Sequence, residues 1–158
     1  MINIKPLKAY TDNYIWLLET NEEVSVVDPG DAKPVLDYLS KTNKNIRDIF
    51  ITHHHFDHTA GVPELEKIIS GSIYGPKNSF ELIKEKVTQG DALTSLGVKF
   101  EIIEVPGHTL DHIAFYSEEY NILFCGDTLF AGGCGRVFEG TVDQMFESLN
   151  KLKQLPVS

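Results

Sequence analysis

The stretch Thr52-His53-His54-His55-Phe56-Asp57-His58 constrains this chain more than any other, because it packs four histidines and an aspartate into six positions. Directly before it runs Ile46–Thr52, an apolar, β-branched segment with the length of a buried strand. Any fold of this chain must therefore deliver a dense set of nitrogen and oxygen donors to the end of a strand. Residues two apart in an extended segment point to the same side, so His53 and His55 can address one point. Asp57 and His58 follow at a turn and can address a second ion close by. Imidazole suits borderline cations, and carboxylate supplies a hard, charged oxygen. The plainer readings are a solvated polar loop or an expression tag. The run is internal, broken by Phe56 and Asp57, and follows a strand, which argues against a tag; ligand chemistry and spacing favour metal binding.

Other chemistry-bearing residues also follow strand-like segments. Lys99–Val105 is apolar and leads into Pro106-Gly107-His108-Thr109, where glycine allows the reversal that presents His108 at a strand end. Alone, such a histidine is more often an ordinary hydrogen-bonded residue; after the His-rich run it becomes a natural third nitrogen ligand. His112, beside Asp111, reads as structural. Ile122–Cys125 is another apolar strand, and it delivers Asp127 in Phe124-Cys125-Gly126-Asp127-Thr128-Leu129-Phe130. A carboxylate has two oxygens and can bridge two cations, although the plainer role of such an aspartate is local bonding in a turn. Ala131-Gly132-Gly133-Cys134-Gly135-Arg136 is a close-approach loop in which Arg136 can clamp a carboxylate or another anion. It lacks the Lys-Ser/Thr ending of a phosphate-binding loop, so nucleotide binding is not expected.

Elsewhere Ile2–Leu7, Tyr14–Glu19 and Val24–Asp28 read as strands, with Asn21-Glu22-Glu23 in the turn between the last two and Asp28-Pro29-Gly30 as a stop. Ile113–Ser117 reads as a further strand. Residues 32–40 are expected to be helical through Val35, Leu36 and Leu39, and residues 60–69 through Val62, Leu65, Ile68 and Ile69. Val142–Leu152 is expected to be helical through Met145, Phe146, Leu149 and Leu152. Strands and helices mix without strict βαβ alternation, which predicts an α+β chain layered αββα. The length of 158 residues suits one domain over 1–158. The apolar residues after the last helix look like the approach to another strand, as in a chain that stops before its natural end.

Hydrophobic residues make up 42% and charged residues 23%, a globular balance. The net charge of −9 argues against nucleic acid as a partner, because phosphate binding needs clustered Lys and Arg. It leaves room for an anionic small substrate in a local field. Cys125 and Cys134 form no CxxC pair and are expected as buried or semi-buried free thiols of a reducing cytosol. No base adjoins Cys134 in sequence, so it is not read as a nucleophile. The N-terminus MINIKPLKAYTDNYIW lacks a signal-peptide layout, and no apolar run approaches the roughly 20 residues that span a bilayer. The expectation is a cytoplasmic location without a membrane partner.

THHHFDH, followed by GHT and then GDTLF, resembles the metallo-β-lactamase superfamily. GDTLFAGGCGRVFEGT, together with DNYIWLL and VVDPGDA, resembles more narrowly the glyoxalase II branch, the hydroxyacylglutathione hydrolases, and particularly their bacterial form. The resemblance covers nearly the whole chain; HxHxDH marks only the superfamily, and GDTLF-x-GGCGR narrows it. It implies a four-layer αββα sandwich and two divalent metal ions, zinc first, with iron or manganese also suited to the donors. By position it implies that His53, His55 and His108 hold the first metal, that Asp57 and His58 contribute to the second, and that Asp127 bridges both. Asp57 and Asp127 would orient the attacking water. Arg136 stands where the branch has a basic residue near the glutathione moiety, and Phe138 where some members have a tyrosine that helps bind it. The family also supplies a further histidine to the second metal from a strand just beyond Pro156, and a C-terminal helical segment that holds much of the glutathione site; the sequence ends before both.

The implied reaction is hydrolysis of S-D-lactoylglutathione to glutathione and D-lactate, a step of methylglyoxal detoxification, by a monomer and without a covalent enzyme intermediate. Three alternatives share the motifs: a persulfide dioxygenase with one iron, a lactonase or β-lactamase-type hydrolase, and a metal-binding fragment without activity. His54 and His58 within HHHFDH, together with GDTLF, favour the hydrolase branch over the dioxygenase, and GGCGR speaks against a lactonase.

Overall fold

Alternating and continuous apolar runs near the N-terminus pair as strands in the computed structural model, which describes residues 1–77 and 80–156. Asn3–Ala9 (β1) pairs antiparallel with Asn13–Glu19 (β2), in the register Leu7↔Ile15, and β2 pairs antiparallel with Glu23–Val27 (β3). From β3 onward the pairing is parallel, through Asn45–Phe50 (β4), Ile73–Gly75 (β5) and Glu85–Lys86 (β6), giving a six-stranded mixed sheet in chain order. A parallel step needs a crossover, and helix α1 (Ala32–Thr42) supplies the first one. Asp31 caps α1 by accepting from the Lys33 N–H at 2.9 Å, and left-handed Asn43 closes its other end.

A second, antiparallel sheet holds Ala92–Ser95 (β7), Val98–Glu104 (β8), Ile113–Ser117 (β9) and Ile122–Phe124 (β10), in the order β10-β9-β8-β7. Leu129–Phe130 (β11) and Gly133–Cys134 (β12) form a small hairpin, which leaves Cys134 exposed and not buried as expected, while Cys125 is half-buried. Helix α4 (Val142–Lys153) follows, opened by a capping box between Thr141 and Gln144.

Three cores separate the layers. Val26 and Ile49 of the first sheet pack with Val35 of α1 and with Val62 and Leu65 of the short helix α3 (Val62–Leu65). Between the sheets, Leu18, Val27 and Phe50 meet Phe100, Ile102 and Phe115, with the Phe50 and Phe115 rings stacked at 4.9 Å. On the far side Leu152 of α4 covers Val105 and Ala114. Helix, sheet, sheet, helix is the expected αββα order. The sheets are also pinned by a buried polar bridge, in which the Ser25 and Ser95 hydroxyls lie 2.7 Å apart and Ser95 donates to Asp48. Among the described residues no helix is long and apolar enough to cross a membrane.

Several expectations need correction. In place of the helix expected over 60–69 stand only α3 and a 3-10 turn at Glu66–Ile68, preceded by a separate turn of helix at Phe56–Thr59 (α2); the change of pitch leaves Ile68 48% exposed. On α4 the buried face is Met145, Ser148 and Leu152, and Phe146 points outward, 64% exposed. Ser148 belongs inside because its hydroxyl donates to the Pro106 carbonyl at 2.7 Å. Strands β5 to β7, β11 and β12 are too short to leave a periodic signal. The strand expected after α4 falls on Val157 and Ser158, outside the described residues.

Candidate metal centre

Four loops meet at one place: those following β3, β4, β8 and β10. Each is fastened by residues beside the candidate donors. The Asp28 carboxylate, at φ 50° just past β3, accepts from the Thr52 N–H and the Thr52 hydroxyl, both at 2.7 Å. Thr52 thus spends its proton on Asp28, and its oxygen can only accept from His53 Nδ1, 3.0 Å away. That fixes the tautomer of His53: Nδ1 carries the hydrogen and Nε2 presents a lone pair. His53 is fully buried, and its Nε2 has no hydrogen-bond partner. Burial, then the neighbouring histidines His112, His58 and His108, hold its pKa far below the ordinary range, so the ring is neutral.

His108 is fixed by the same logic. Its Nδ1 donates to the Arg136 carbonyl at 2.7 Å, leaving Nε2 to face His55 Nδ1 at 3.0 Å and Asp127 Oδ2 at 3.3 Å. His53, His55 and His108 each offer one ligand atom within 4.8 Å of the others. A second group with the same spacing is His53, His58 and Asp127. Asp127 stands between the two groups, with Oδ1 3.3 Å from His58 Nε2 and Oδ2 3.3 Å from His108 Nε2. Asp57 Oδ2 lies 3.6 Å from His58 Nε2 and is steadied by the Asn13 amide, which donates at 2.8 Å.

His58 is held differently. Its Nδ1 is 3.1 Å from Asp28 Oδ2, near enough for charge but without hydrogen-bond alignment. Burial pulls its pKa down, but Asp28 and then Asp127 outweigh that and push it up to about 10. Burial would raise the Asp127 pKa, and His58 and His108 more than offset it, so the carboxylate is held ionised. His58 therefore keeps a proton that a bound cation would displace. The orphaned lone pair of His53, beside the converging carboxylates of Asp57 and Asp127, is what a cation would satisfy, so the donor set fits a metal.

His112 is not among these donor groups. Its Nε2 accepts from the Asp127 N–H at 3.1 Å, its ring stacks on His53 at 4.5 Å, and burial pushes it down to about 4 in spite of Asp28. It holds the Asp127 loop by the backbone. Two glycines let the loops close: Gly126 has φ +48°, and a Cβ there would lie 2.4 Å from Thr52 Oγ1; a Cβ on Gly135 would lie 1.9 Å from the Asp127 carbonyl oxygen.

An open cleft of about 810 Å³ lies over the centre, and Tyr14, Trp16, Asp57, Asp127, Arg136 and Phe138 are among its walls. Phe138 meets the rings of His108 and His55 edge-on, at 5.3 and 5.8 Å. Arg136 is exposed on the cleft wall. Sequence reading missed Asp28, treating it only as a strand stop, and missed Asn13 altogether. An aspartate ending an apolar strand was the available signal for Asp28; for Asn13 there was none.

The match to known proteins agrees with this geometry. Residues 11–158 match the family model of the metallo-beta-lactamase superfamily. A hydroxyacylglutathione hydrolase of Pseudoalteromonas translucida is 51% identical over 160 residues, covering 99% of this chain and 62% of that protein. One from Chromohalobacter salexigens is 50% identical, covering 99% and 63%. The chain thus spans less than two thirds of the length of these relatives. Among solved structures, ETHE1 from Myxococcus xanthus aligns with TM-score 0.82 at 26% identity, over 99% of this chain and 71% of its own. The BLEG-1 B3 metallo-beta-lactamase aligns with TM-score 0.88 at 22% identity, over 98% and 87%, a likeness of fold. With a family match running almost from end to end and a layered fold that carries histidine and aspartate donors on its strand-end loops, the chain belongs to the metallo-beta-lactamase superfamily.

Proposed function

We propose that residues 1–158 act as a cytoplasmic hydrolase domain that cleaves the thioester of S-2-hydroxyacylglutathiones, S-D-lactoylglutathione among them, to glutathione and the 2-hydroxy acid. The observation that carries the reading is the position of Asp127, with one carboxylate oxygen 3.3 Å from His108 and the other 3.3 Å from His58. Half-identity to hydroxyacylglutathione hydrolases over nearly all of this chain supports the substrate class.

His53, His55 and His108 would hold one cation, Asp57 and His58 would contribute to a second, and Asp127 would serve both, with zinc the first candidate and iron or manganese also suited to these donors. Once bound, two divalent cations supply the charge that acidifies a water and polarises a carbonyl. The Asp57 and Asp127 carboxylates would accept hydrogen bonds from the attacking water and orient it towards the thioester carbon. His53 and His108 would present Nε2 to the ion, because Thr52 and the Arg136 carbonyl engage their Nδ1 atoms. Arg136 offers a cation to a glutathione carboxylate, and Phe138 an apolar surface above His55 and His108. Glutathione leaves as a thiolate, whose free thiol pKa of about 8.5 makes a proton donor unnecessary. Cys125 donates to the Leu129 carbonyl and takes no part.

The test is thiol release from S-D-lactoylglutathione by the zinc-loaded chain, compared with a lactone and a β-lactam. Release from the thioester at a rate well above the other two is expected. Turnover of the lactone or β-lactam with the thioester untouched would sink the reading.

A further inference from the structure

His54 sits between two candidate donors and joins neither of the groups around His53. Its ring turns the other way. Nδ1 lies 2.9 Å from Asp111 Oδ1, and Nε2 lies 3.0 Å from Glu139 Oε1. Glu139 uses its other oxygen to accept the Leu110 N–H at 3.0 Å. These contacts tie together the loop after β4, the β8–β9 loop and the segment after β12. His55 lies on the first of these and His108 on the second. The third supplies the Arg136 carbonyl that fixes the His108 ring, and its Phe138 and Glu139 N–H groups both reach the His108 carbonyl, at 3.2 and 3.3 Å.

We propose that His54 is a positioning residue: clamped between Asp111 and Glu139, it sets the alignment of His55 and His108 without binding metal itself. The proposal rests on the metal-centre reading above. Stability alone is a poor explanation for the outer contact of the clamp. His54 and Glu139 are each about a third exposed, at 34% and 36%, so solvent screens their contact, while the inner partner Asp111 is 10% exposed. The value of the arrangement lies in geometry, since it crosses from one donor-bearing loop to the other two loops that meet there. A rival exists, because donor atoms of His54, His55 and Glu139 also lie within 4.8 Å of one another. Both nitrogens of His54 already face carboxylates, however, and His55 Nδ1 faces His108, which favours the clamp over a third ion.

Cobalt(II) titration of the metal-free chain, followed by its visible d–d absorption, separates these roles when run beside thermal unfolding of the metal-free proteins. His54→Ala is expected to bind as many ions as the wild type, about 10–100-fold more weakly, with a shifted absorption band and a nearly unchanged unfolding temperature. His54→Gln, which keeps one of the two contacts, is expected to recover part of the affinity, and Glu139→Gln to weaken binding in the same direction. Wild-type affinity and spectrum in His54→Ala would overturn the proposal. So would one ion fewer per chain, which would make His54 a ligand, or a loss of affinity that merely tracks collapse of the metal-free fold in both His54 variants. A wild-type chain that takes up no cobalt would overturn the metal-centre reading itself, and this inference with it.

Discussion

Two buried polar clusters sit at opposite ends of the first sheet, and their hydrogen-bond accounts differ. At one end Glu19, 7% exposed, has both oxygens taken: Asn3 donates to Oε1 at 2.8 Å, Lys44 to Oε2 at 2.8 Å, and the Tyr38 hydroxyl to Oε2 as well. At the other end the Nε2 of His53 is buried without a partner, and His58 faces Asp28 and Asp127 without hydrogen-bond alignment. A buried polar atom left unpaired costs about 1–3 kcal/mol. A sequence that tolerates this cost where aspartate oxygens also converge holds those atoms for something other than protein. Satisfied burial marks the structural cluster; convergent, unsatisfied burial marks the ligand site.

The largest effect should come from the residue that stands between the two donor groups. Asp127→Asn keeps the size and the backbone contact to His112 but removes the charge, and should lower thioester hydrolysis about a thousandfold, the equivalent of several kcal/mol of lost charge stabilisation. Steady-state rates with metal-saturated protein measure it; a drop of only a few-fold would mean that Asp127 is no more than a turn residue. Next in size is the effect of metal on folding. Zinc at a thousand times its Kd should stabilise the wild type by about 4 kcal/mol in urea unfolding. His53→Leu should abolish that gain while leaving the metal-free protein within about 1 kcal/mol of wild type, because it loses one hydrogen bond, from Nδ1 to Thr52, and removes the unpaired Nε2 with it. A metal-free His53→Leu protein that is several kcal/mol weaker would erase the contrast between the two clusters.

Glu19→Leu should do the opposite. It strands Lys44, Tyr38 and Asn3 at a mostly buried site, at a cost of about 3 kcal/mol in the metal-free protein, and leaves the zinc-induced gain intact. Loss of zinc binding in this variant would show that the two ends of the sheet are coupled.

The two clusters were not equally legible in the sequence. His53, His55, Asp57 and His58 announce themselves because they are close in sequence and follow an apolar strand, and His108 and Asp127 because each follows another. The αββα layering was legible for the same reason: the long apolar segments that became β2, β3, β4, β8 and β9 carry the cores. Asp28, Asn13 and the partners of His54 were not legible, since each role depends on a residue more than twenty positions away brought near by folding. The Glu19 cluster was invisible too: Lys44 lies 25 positions from Glu19, and no local pattern joins them. Phe146 misled because an apolar residue at helical spacing looks like core, whereas the hydroxyl of Ser148 had a carbonyl waiting inside.

The smallest effect, and the one that separates the clusters most cleanly, is in pH. Burial would raise the Glu19 pKa, but hydrogen bonds from Lys44, Tyr38 and Asn3 outweigh it, so the folded carboxyl titrates below its ordinary 4.5. Above pH 4.5 its contribution to stability is therefore fully present. As the pH falls through that value the unfolded chain takes up the proton first, so stability declines, and the contribution is gone once the folded carboxyl has titrated. Glu19→Gln should flatten this slope in the metal-free protein. Metal-dependent stability should decline from a higher pH, because a cation in the second group competes with the proton that His58 holds up to about pH 10. Zinc-loaded protein should thus show two acid limbs, the upper removed by chelation and the lower by Glu19→Gln. A Glu19→Gln protein that keeps the wild-type slope below pH 4.5 would mean that the fully paired carboxylate adds nothing by being ionised, and that complete hydrogen bonding alone accounts for its burial.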